Sequence, residues 1–388
     1  MLSDKNSFSD TDSLEVSIVM PCLNEEEAVA LCVKQAITAL KENNLKGEII
    51  VSDNGSSDSS RELAVKSGAR VVVEKIKGYG RAYNLGIASA KGKYIVIGDS
   101  DGTYDFSGII KFIEPLRHGY AFVNGSRIKG KIHKGAMPFL HRYFGNPLLS
   151  FLLNLFFKSG FSDVYCGMKA FTKEAYEIIK PISPGMEFAL ELIINAARSS
   201  LKRMEVPIEL FPRRGRSKLR PFKDTWRSLR FMLLFSPNYL FILPGAVLFL
   251  TGFSGMVLLS GGPVRFLNHI FDFHAMIFSS ILVLLGFQLV NLGFFAKAYA
   301  LSEGFEKRDS FFTGFYKAFN LEKGILIGFL LIAFGLFIVF SIIKQWIFFG
   351  AMAQERRELF ALMTIMIGIQ IIFSSFLISL MGMKYREI

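Results

Sequence analysis

The sequence predicts an α/β domain with a mostly parallel sheet, followed by an α-helical transmembrane domain of four helices. Up to about residue 230, short β-branched runs alternate with helix-like stretches, and beyond it long charge-free stretches dominate. Strands that alternate with helices form parallel sheets that helices cover on both faces. A charge-free helix of about 20 residues can cross a bilayer, and four such runs in succession favour membrane spans over a buried core.

Composition divides the chain of 388 residues into four expected segments. Residues 1–14 are polar and acidic, and we expect them to form a disordered tail. The α/β domain is expected to occupy residues 15–221, and an amphipathic juxtamembrane helix is expected at residues 222–236. The transmembrane domain is expected to take the remaining residues, 237–388.

Five β-branched runs are candidates for the strands of the α/β domain. They are Val16–Met20, Glu48–Val51, Arg70–Val73, Lys93–Ile97 and Ala121–Val123. Acids and small polar residues follow four of these runs, in the segments PCLNEEE, SDNGSSDSS, GDSDGTYDF and NGSR. The first two segments are also compatible with ordinary turns. Because parallel sheets bind ligands beyond the carboxyl ends of their strands, we expect the functional site at this edge.

The segment GDSDGTYDF is harder to explain as a plain turn. In an extended chain, residues two apart point to the same side, so Asp99 and Asp101 can present their carboxylates side by side. Two such carboxylates repel each other unless a cation lies between them. Mg²⁺ or Mn²⁺ is the predicted cation, because hard divalent ions bind one or two carboxylates together with substrate phosphates.

Four charge-free runs predict the membrane spans, at about residues 239–260, 274–297, 324–343 and 360–383. The N-terminal residues lack the basic and apolar regions of a signal peptide, so we expect the α/β domain to stay in the cytoplasm. The resulting prediction is a multi-pass protein of the plasma membrane. The last two spans exceed what anchoring needs, and the sequence leaves open whether they form a homo-oligomer or pass on a product.

The net charge of +12 raises the question of which anion the protein meets. Many of the basic residues lie between Arg213 and Arg230, directly before the first span. Basic residues beside a membrane helix suit anionic lipid head groups, so we expect the membrane and not nucleic acid as the partner. The segment Phe139–Lys158 mixes basic residues with Phe and Leu and is also expected at the head-group level. The three cysteines lack metal-ligand spacing and are expected to be reduced.

Beyond these patterns, the chain resembles a known family. The motifs that carry the likeness follow one another between about residues 15 and 245: PCLNEEE, SDNGSSDSS, KGYGRAYNLGIASAKGKYIVIGDSDGTYDF, GSR, GNPLLSFLLN, DVYCGMKAF, GMEFALEL and RRGRSKL. In this order they resemble inverting family-2 glycosyltransferases of the polyprenyl-phosphate sugar synthase type, related to dolichol-phosphate mannose and glucose synthases. The resemblance implies a GT-A fold, which is a Rossmann-like form of the predicted α/β domain.

The resemblance also implies roles for individual residues. Candidates for binding the nucleotide-sugar are Pro21, Asn24, Glu25, Asp53, Lys77, Gly78, Asp99 and Ser100. Asp99 and Asp101 match the metal-binding D-x-D pair, and with Asp163 they are the candidate catalytic residues. Candidates for binding the acceptor phosphate are Arg127, Arg213 and Lys218; the last two also suit a role as charges that face the lipid surface.

Three positions depart from the family pattern. Leu23 stands where many members have an aromatic residue against the nucleobase. Lys169 replaces a common arginine, and Asn54 stands where many relatives have a second acid. Structural alternatives also stay open for two candidates, with Arg127 as a cap at the end of its strand and Asp163 as a loop or helix-capping residue.

The resemblance predicts transfer of a single hexose from a nucleotide-sugar of the UDP-glucose or GDP-mannose type to a polyprenyl phosphate, with inversion of the anomeric carbon. A processive polysaccharide synthase is an alternative, but the Q-x-x-R-W motif usual in those enzymes does not occur at Trp226 or Trp346. A non-enzymatic transport subunit for lipid-linked sugars is a third interpretation. The scarcity of polar residues within the spans argues against it.

Overall fold

The computed structural model describes residues 14–215, 221–302, 321–350 and 355–386. The chain forms two compact units, Met1–Met232 and Leu233–Ile388. Residues 1–13 of the expected tail and the predicted site residue Lys218 lie outside the described residues.

Seven strands form one sheet in the first unit. They are β1 (Val16–Cys22), β2 (Gly47–Asp53), β3 (Arg70–Val73), β4 (Tyr94–Ile97), β5 (Phe122–Ile132), β6 (Lys169–Thr172) and β7 (Arg203–Leu210). Their order across the sheet is β3-β2-β1-β4-β6-β5-β7. Strand β6 runs antiparallel to β4 and β5, and the other neighbouring pairs are parallel. The prediction of a mostly parallel sheet is therefore confirmed.

Helices cover both faces of this sheet. They are α1 (Val29–Glu42), α2 (Ser60–Lys66), α3 (Tyr79–Ala88), α4 (Ile110–Arg117), α5 (Asn146–Phe157), α6 (Lys173–Ile179) and α7 (Phe188–Arg198). In β1, the successive residues Ile18 and Val19 point to opposite faces, and both are fully buried. Ile18 belongs to the core cluster that includes Val33 of α1. Val19 lies against Gly86 of α3, where an added Cβ would come within 2.4 Å of its Cγ1.

Strands β6 and β7 were not predicted from the sequence. Strand β6 has only four residues, KAFT. In β7, Val206, Ile208 and Leu210 are buried while Pro207 and Glu209 between them are exposed. This alternation is typical of a strand with one buried face, and the proline that weakens the strand pattern is tolerated because β7 lies at the edge of the sheet.

The membrane helices follow a helix α8 (Pro221–Leu234), which overlaps the predicted amphipathic segment 222–236. The second unit then contains α9 (Leu243–Ser260), α10 (Phe273–Ser302), α11 (Leu321–Phe349) and α12 (Glu355–Arg386). Four segments are long and apolar enough to cross a membrane: Asn238–Ser260, Phe273–Leu301, Leu321–Phe348 and Glu355–Met381. The prediction of four membrane helices is confirmed.

Small residues bring these helices together in pairs. An added Cβ on Gly286 of α10 would lie 2.3 Å from the Phe249 nitrogen of α9. An added Cβ on Gly328 of α11 would lie 2.7 Å from the Gly368 carbonyl oxygen of α12. Such close backbone approach is the usual way in which membrane helices pack, so α9 packs closely against α10 and α11 against α12.

Candidate active site

The loops after β1 and β2 are tied together at the carboxyl edge of the sheet, where the two strands end in register. Asn24 adopts a left-handed backbone conformation with φ of 52°. Its side-chain oxygen accepts a hydrogen bond from the Ser57 amide at 2.8 Å. The Glu25 amide donates to Ser60 Oγ at 2.8 Å. These bonds hold Glu25 at the edge of the sheet, and its role in binding a nucleotide-sugar stays a prediction.

The side chains of Asp53 and Asn54, at the end of β2, bind other residues of the protein. Asp53 is fully buried, pairs with Arg61 Nε at 2.6 Å and accepts a hydrogen bond from the Gly55 amide at 3.0 Å. Asn54 Oδ1 accepts a hydrogen bond from the Gly78 amide at 2.6 Å, which joins this loop to the segment KGYGRA. A nucleotide-binding role for Asp53 stays a prediction, because its carboxylate is engaged in these contacts.

The segment KGYGRA packs against a loop that the sequence analysis had not connected with the site. The Gly80 amide donates to the Pro184 carbonyl at 3.0 Å, and an added Cβ on Gly80 would lie 2.1 Å from the Ser183 oxygen. Buried Glu191 holds this loop by accepting a hydrogen bond from the Ser183 amide at 2.8 Å. The second of the two acids in the mostly apolar segment GMEFALEL was the available signal for Glu191. Lys77 is exposed beside this contact.

Asp99 follows β4 and is held by two tyrosines of α3. Its Oδ1 accepts hydrogen bonds from Tyr79 at 2.9 Å and from Tyr83 at 3.2 Å. Desolvation and the negative charge of Asp101 raise the pKa of Asp99 to about 6. The protein therefore leaves the charge of this aspartate incompletely neutralised. The sequence analysis missed both tyrosines, although a spacing of four residues places them on one face of a helix.

Asp101 is buried and meets a cation from a distant segment. Its Oδ1 accepts a hydrogen bond from the Thr103 amide at 3.0 Å, and its Oδ2 pairs with Arg213. The other terminal nitrogen of Arg213 pairs with Glu25. Together, Glu25, Asp99, Asp101 and Arg213 form what we call the acidic cluster.

The loop that carries the two aspartates is fixed to the end of β1. Ser100, between the two acids, donates its hydroxyl to the Pro21 carbonyl at 2.7 Å. Among the described residues, no group of three or more His, Cys, Asp or Glu side chains has the geometry of a metal site. Asp99 and Asp101 fit Mg²⁺ or Mn²⁺, because these ions need only one or two protein carboxylates when phosphate and water complete their coordination. The raised pKa of Asp99 supports this fit, since a divalent cation relieves the repulsion between the acids.

Arg127 and Asp163, predicted to act on the acceptor and in catalysis, form a buried ion pair with each other. Arg127 Nε and Nη2 each lie 2.7 Å from one carboxylate oxygen, and the Arg127 amide donates to the same carboxylate at 2.9 Å. Burial alone would raise the pKa of Asp163, but the charge and hydrogen bonds of Arg127 outweigh it and lower that pKa. Both groups are engaged with each other, so their roles at an acceptor stay predictions.

Glu205 of β7 holds the loop that carries Asp163. It accepts hydrogen bonds from the Asp163 amide at 3.0 Å and from the Ser162 hydroxyl at 2.8 Å. Lys129 Nζ lies 2.9 Å from its Oε2. We call Arg127, Asp163, Glu205 and Lys129 the arginine cluster. Glu205 was not predicted because the strand in which it lies was itself missed.

Lys169, which replaces an arginine common in the family pattern, is fully buried at the start of β6. It donates a hydrogen bond to the Cys166 carbonyl oxygen. Desolvation lowers the pKa of Lys169, and its positive charge acts on both Asp99 and Asp163. This lysine therefore contributes to the electrostatics of both clusters from within the sheet.

Two family models match the chain. Residues 17–179 match glycosyl transferase family 2, and residues 294–382 match the glycosyltransferase family 2 C-terminal transmembrane region. Over 370 residues, the chain is 38% identical to the low-salt glycan biosynthesis hexosyltransferase Agl6 of Haloferax volcanii, which covers 95% of this chain and 89% of the relative. The chain belongs to glycosyltransferase family 2.

This family-2 glycosyltransferase is also similar to an enzyme named for a lipid phosphate. The dolichyl-phosphate hexose transferase of Haloferax volcanii is 32% identical over 210 residues, which cover 54% of this chain and 88% of the relative. The resemblance to polyprenyl-phosphate sugar synthases is thereby confirmed. Among solved structures, glucosyl-3-phosphoglycerate synthase from Mycobacterium tuberculosis with Mn²⁺, UDP-glucose and phosphoglyceric acid covers 57% of this chain and 78% of that chain, with 24% identity and a TM-score of 0.45.

The glycosyltransferase also has an exposed apolar face on helix α5. In α5 and the turn before it, Leu153 is buried in the domain, whereas Phe139, Phe144 and Phe151 are each more than 60% exposed. Arg142 adds a positive charge to the same segment. A large exposed apolar surface marks an interaction site, and the mixture of aromatic and basic residues is typical of a surface that meets lipid head groups.

Proposed function

We propose that this glycosyltransferase moves one hexose from a nucleotide-sugar of the UDP-glucose or GDP-mannose type to a polyprenyl phosphate, with inversion at the anomeric carbon. The observation that carries the proposal is the acidic cluster, which gathers three carboxylates and one guanidinium at the carboxyl edge of the sheet, where α/β sheets bind nucleotides. The apolar face of α5 adds a surface suited to a lipid. The names of the hexosyltransferase and dolichyl-phosphate hexose transferase relatives support the same pairing of substrates.

The donor diphosphate is expected to meet the acidic cluster through Asp99 and Asp101, which would hold Mg²⁺ or Mn²⁺. When bound, the divalent ion neutralises the charge that develops on the departing nucleoside diphosphate. Tyr79 and Tyr83 fix one oxygen of Asp99 and leave the other for the ion. Asn24, in the loop after β1, is a candidate for contacting the nucleotide.

The acceptor phosphate requires no strong base. Its second pKa is about 6, so a phosphate oxygen is largely ionised at neutral pH and attacks the anomeric carbon directly. A hydroxyl acceptor would instead need a carboxylate to remove its proton. The new O–C bond forms on the face opposite the nucleoside diphosphate, which leaves with the electron pair of the broken bond. Arg213 supplies a cation at the acidic cluster, where donor and acceptor anions would otherwise repel each other.

A lipid acceptor accounts for a membrane anchor on a sugar transferase, and this chain has four candidate membrane helices. We expect the apolar face of α5 and the exposed Trp226 of α8 to lie among the lipid head groups. The connection between the second and third spans carries Lys307, Arg308 and Lys317. Because short loops rich in lysine and arginine stay in the cytoplasm, this supports a cytoplasmic position for the catalytic unit at the plasma membrane.

Synthesis by the purified protein tests the proposal. The protein in detergent or lipid is incubated with polyprenyl phosphate, MgCl₂ or MnCl₂ and a panel of UDP- and GDP-sugars, and the glycolipid is detected by mass. Asp101→Asn is compared with Asp105→Asn, a matched control in the same motif, because Asp105 caps a short turn by accepting from the Ser107 amide at 2.9 Å. We expect a singly glycosylated polyprenyl phosphate, roughly 100-fold less of it from Asp101→Asn, and no such loss from Asp105→Asn.

Two outcomes would refute parts of this proposal. Equal product from Asp101→Asn and the wild type would remove the acid pair from catalysis. If no donor gave product while nucleotide-sugars still bound in a metal-dependent way, the polyprenyl-phosphate acceptor would be wrong. Inversion is checked separately, by comparing the anomeric configuration of donor and product by NMR.

A further inference from the structure

We propose that Arg213 is an exchangeable counter-cation of the acidic cluster. Without ligand it neutralises Glu25 and Asp101, and on donor binding it releases Asp101 to the divalent cation and moves to the donor diphosphate. This inference rests on the proposed function, because it takes Asp99 and Asp101 as the metal-binding pair. It extends that function by naming the protein group that competes for the same carboxylate.

The contacts of Arg213 place its charge on the carboxylate oxygen that an ion would need. Oδ1 of Asp101 is already taken by Thr103, whose amide donates to it at 3.0 Å. Arg213 Nη1 pairs with the remaining oxygen, Oδ2, while Nη2 pairs with Glu25 Oε1. The side chain of Asp101 is only 10% exposed in this arrangement. An external cation therefore reaches Oδ2 of Asp101 only after Arg213 moves.

The bonding of Arg213 is incomplete, which favours movement. Its Nε is buried and has no hydrogen-bond partner in the described part of the chain. In Arg127, by contrast, Nε and Nη2 both donate to Asp163 at 2.7 Å. A buried donor without a partner raises the free energy of the arrangement that contains it. Arg213 thus holds two carboxylates in a position that leaves part of its hydrogen-bonding capacity unused.

The backbone around Arg213 is anchored, so the exchange needs only its side chain. The Phe211 amide donates to the Thr103 carbonyl at 2.9 Å, and the Arg214 amide donates to the Asp101 carbonyl at 3.0 Å. These bonds keep the Arg213 backbone beside the acid loop. A guanidinium that leaves one carboxylate can still contact a nearby phosphate with two parallel hydrogen bonds, so its charge remains in the site throughout.

If Arg213 and the divalent cation compete for Asp101, removing Arg213 should change two binding affinities in opposite directions. Loss of the Arg213 charge should let Mn²⁺ alone bind more tightly, by about tenfold, because the ion no longer displaces a cation from Asp101. The same change should weaken Mn²⁺-dependent binding of a nucleoside diphosphate by about tenfold, because the phosphate loses its arginine. A purely structural arginine would move both affinities in the same direction.

The test uses the purified protein in detergent. Binding of Mn²⁺ alone is measured by EPR, and binding of UDP and GDP in the presence of Mn²⁺ is measured by calorimetry, for the wild type and Arg213→Gln. Arg214→Gln is the matched control, because this exposed neighbour contacts Asp101 through its backbone amide. Arg213→Lys serves as a second variant if Arg213→Gln does not fold. Arg213→Lys keeps the positive charge but lacks the planar guanidinium that contacts two carboxylates at once. This variant should shift the Mn²⁺ affinity in the same direction as Arg213→Gln, by a smaller factor.

Three outcomes would overturn the exchange. Arg213→Gln could bind Mn²⁺ no more tightly than the wild type, or Arg214→Gln could produce the same shift, which would show a general effect of net charge. A lack of Mn²⁺ binding in every protein would remove the exchange together with the proposed metal pair. Failure of sugar transfer with the opposite shifts intact would instead refute the proposed substrates and leave the exchange standing.

Discussion

The acidic cluster and the arginine cluster both set carboxylates against a guanidinium in the same unit, but their charges are balanced differently. The acidic cluster contains three carboxylates and one guanidinium, which pairs with Glu25 and Asp101. The pKa of the third carboxylate, Asp99, is raised to about 6. In the arginine cluster, two carboxylates meet two cations, and the pKa of Asp163 is lowered. Both clusters contain a residue predicted to be catalytic, and the charge of Lys169 acts on both, yet only the acidic cluster has more carboxylates than cations among its own members.

We expect this difference in charge balance to make the acidic cluster more responsive to an added cation than the arginine cluster. A carboxylate with a raised pKa destabilises the folded protein at neutral pH and gains most from an added cation. A carboxylate with a lowered pKa already has its partner. Removing one negative charge should therefore change the stability of the protein in opposite directions in the two clusters.

The largest expected effect is in the arginine cluster. Asp163→Asn should lower the free energy of unfolding by about 3–5 kcal/mol at neutral pH, because it leaves Arg127 buried without its counter-charge. The folded pKa of Asp163 is lowered, so its stabilisation is present above the ordinary aspartate pKa and is lost as the pH falls through the folded value. Denaturant unfolding in detergent measures the change, with exposed Glu114→Gln as the control. A loss below about 1 kcal/mol would contradict the assigned role.

The opposite sign is expected for Asp99→Asn. The folded pKa of Asp99 is raised to about 6, so its charge opposes folding increasingly as the pH rises from about 4 to 6. In metal-free buffer at pH 7.5, Asp99→Asn should be more stable than the wild type by about 1–3 kcal/mol, and the gain should shrink toward pH 4. Unfolding at both pH values tests this. Lower stability at pH 7.5 would mean that the hydrogen bonds from Tyr79 and Tyr83 outweigh the repulsion.

A smaller loss is expected for Glu205→Gln. The amide nitrogen of glutamine cannot accept the hydrogen bonds that one carboxylate oxygen receives, so the loop at Ser162 and Asp163 should lose about 1–2 kcal/mol of stabilisation. Glu209→Gln, on the same strand but 51% exposed, is the control and should change stability by less than about 0.5 kcal/mol. Equal effects of the two substitutions would show that Glu205 is not part of a buried network.

The smallest expected effect is that of Lys129→Ala. Its ion pair with Glu205 is 2.9 Å long, but the lysine side chain is 54% exposed, so solvent screens the interaction. We expect a loss below about 1 kcal/mol that disappears at 1 M salt. Unfolding at low and high salt measures it. A loss above about 2 kcal/mol would place Lys129 among the essential members of the cluster and reduce the contrast with Asp163.

Much of the fold was predictable because it depends on local patterns. The runs that became β1, β2 and β4 are apolar on both faces, and the four spans are long charge-free helices. Strand β7 was not predicted because Pro207 interrupts a short alternating pattern. Strand β6 was not predicted because four residues are too few to show an alternation of polar and apolar side chains.

The acids of the candidate site could be predicted from the sequence, but the residues that contact them could not. Asp99 and Asp101 follow a strand and stand two residues apart, which is visible in the sequence. The contacts of Tyr79 and Tyr83 with Asp99 depend on how α3 lies against the sheet. The engagement of Asp163 with Arg127 could not be predicted either, because both residues individually suit a binding role.

The sequence by itself determined which chemical groups this glycosyltransferase carries and at which edge of the sheet they gather. The side-chain periodicity of strands and helices is a local property of the sequence. The polar segments that follow the strands can therefore be identified without a structure. Only the tertiary structure decided which cation meets which carboxylate. Arg213 and Glu25 are 188 positions apart, and such a pair forms only when the whole sheet brings its loops together. The balance of charge that distinguishes the acidic cluster from the arginine cluster therefore depends on the folded chain.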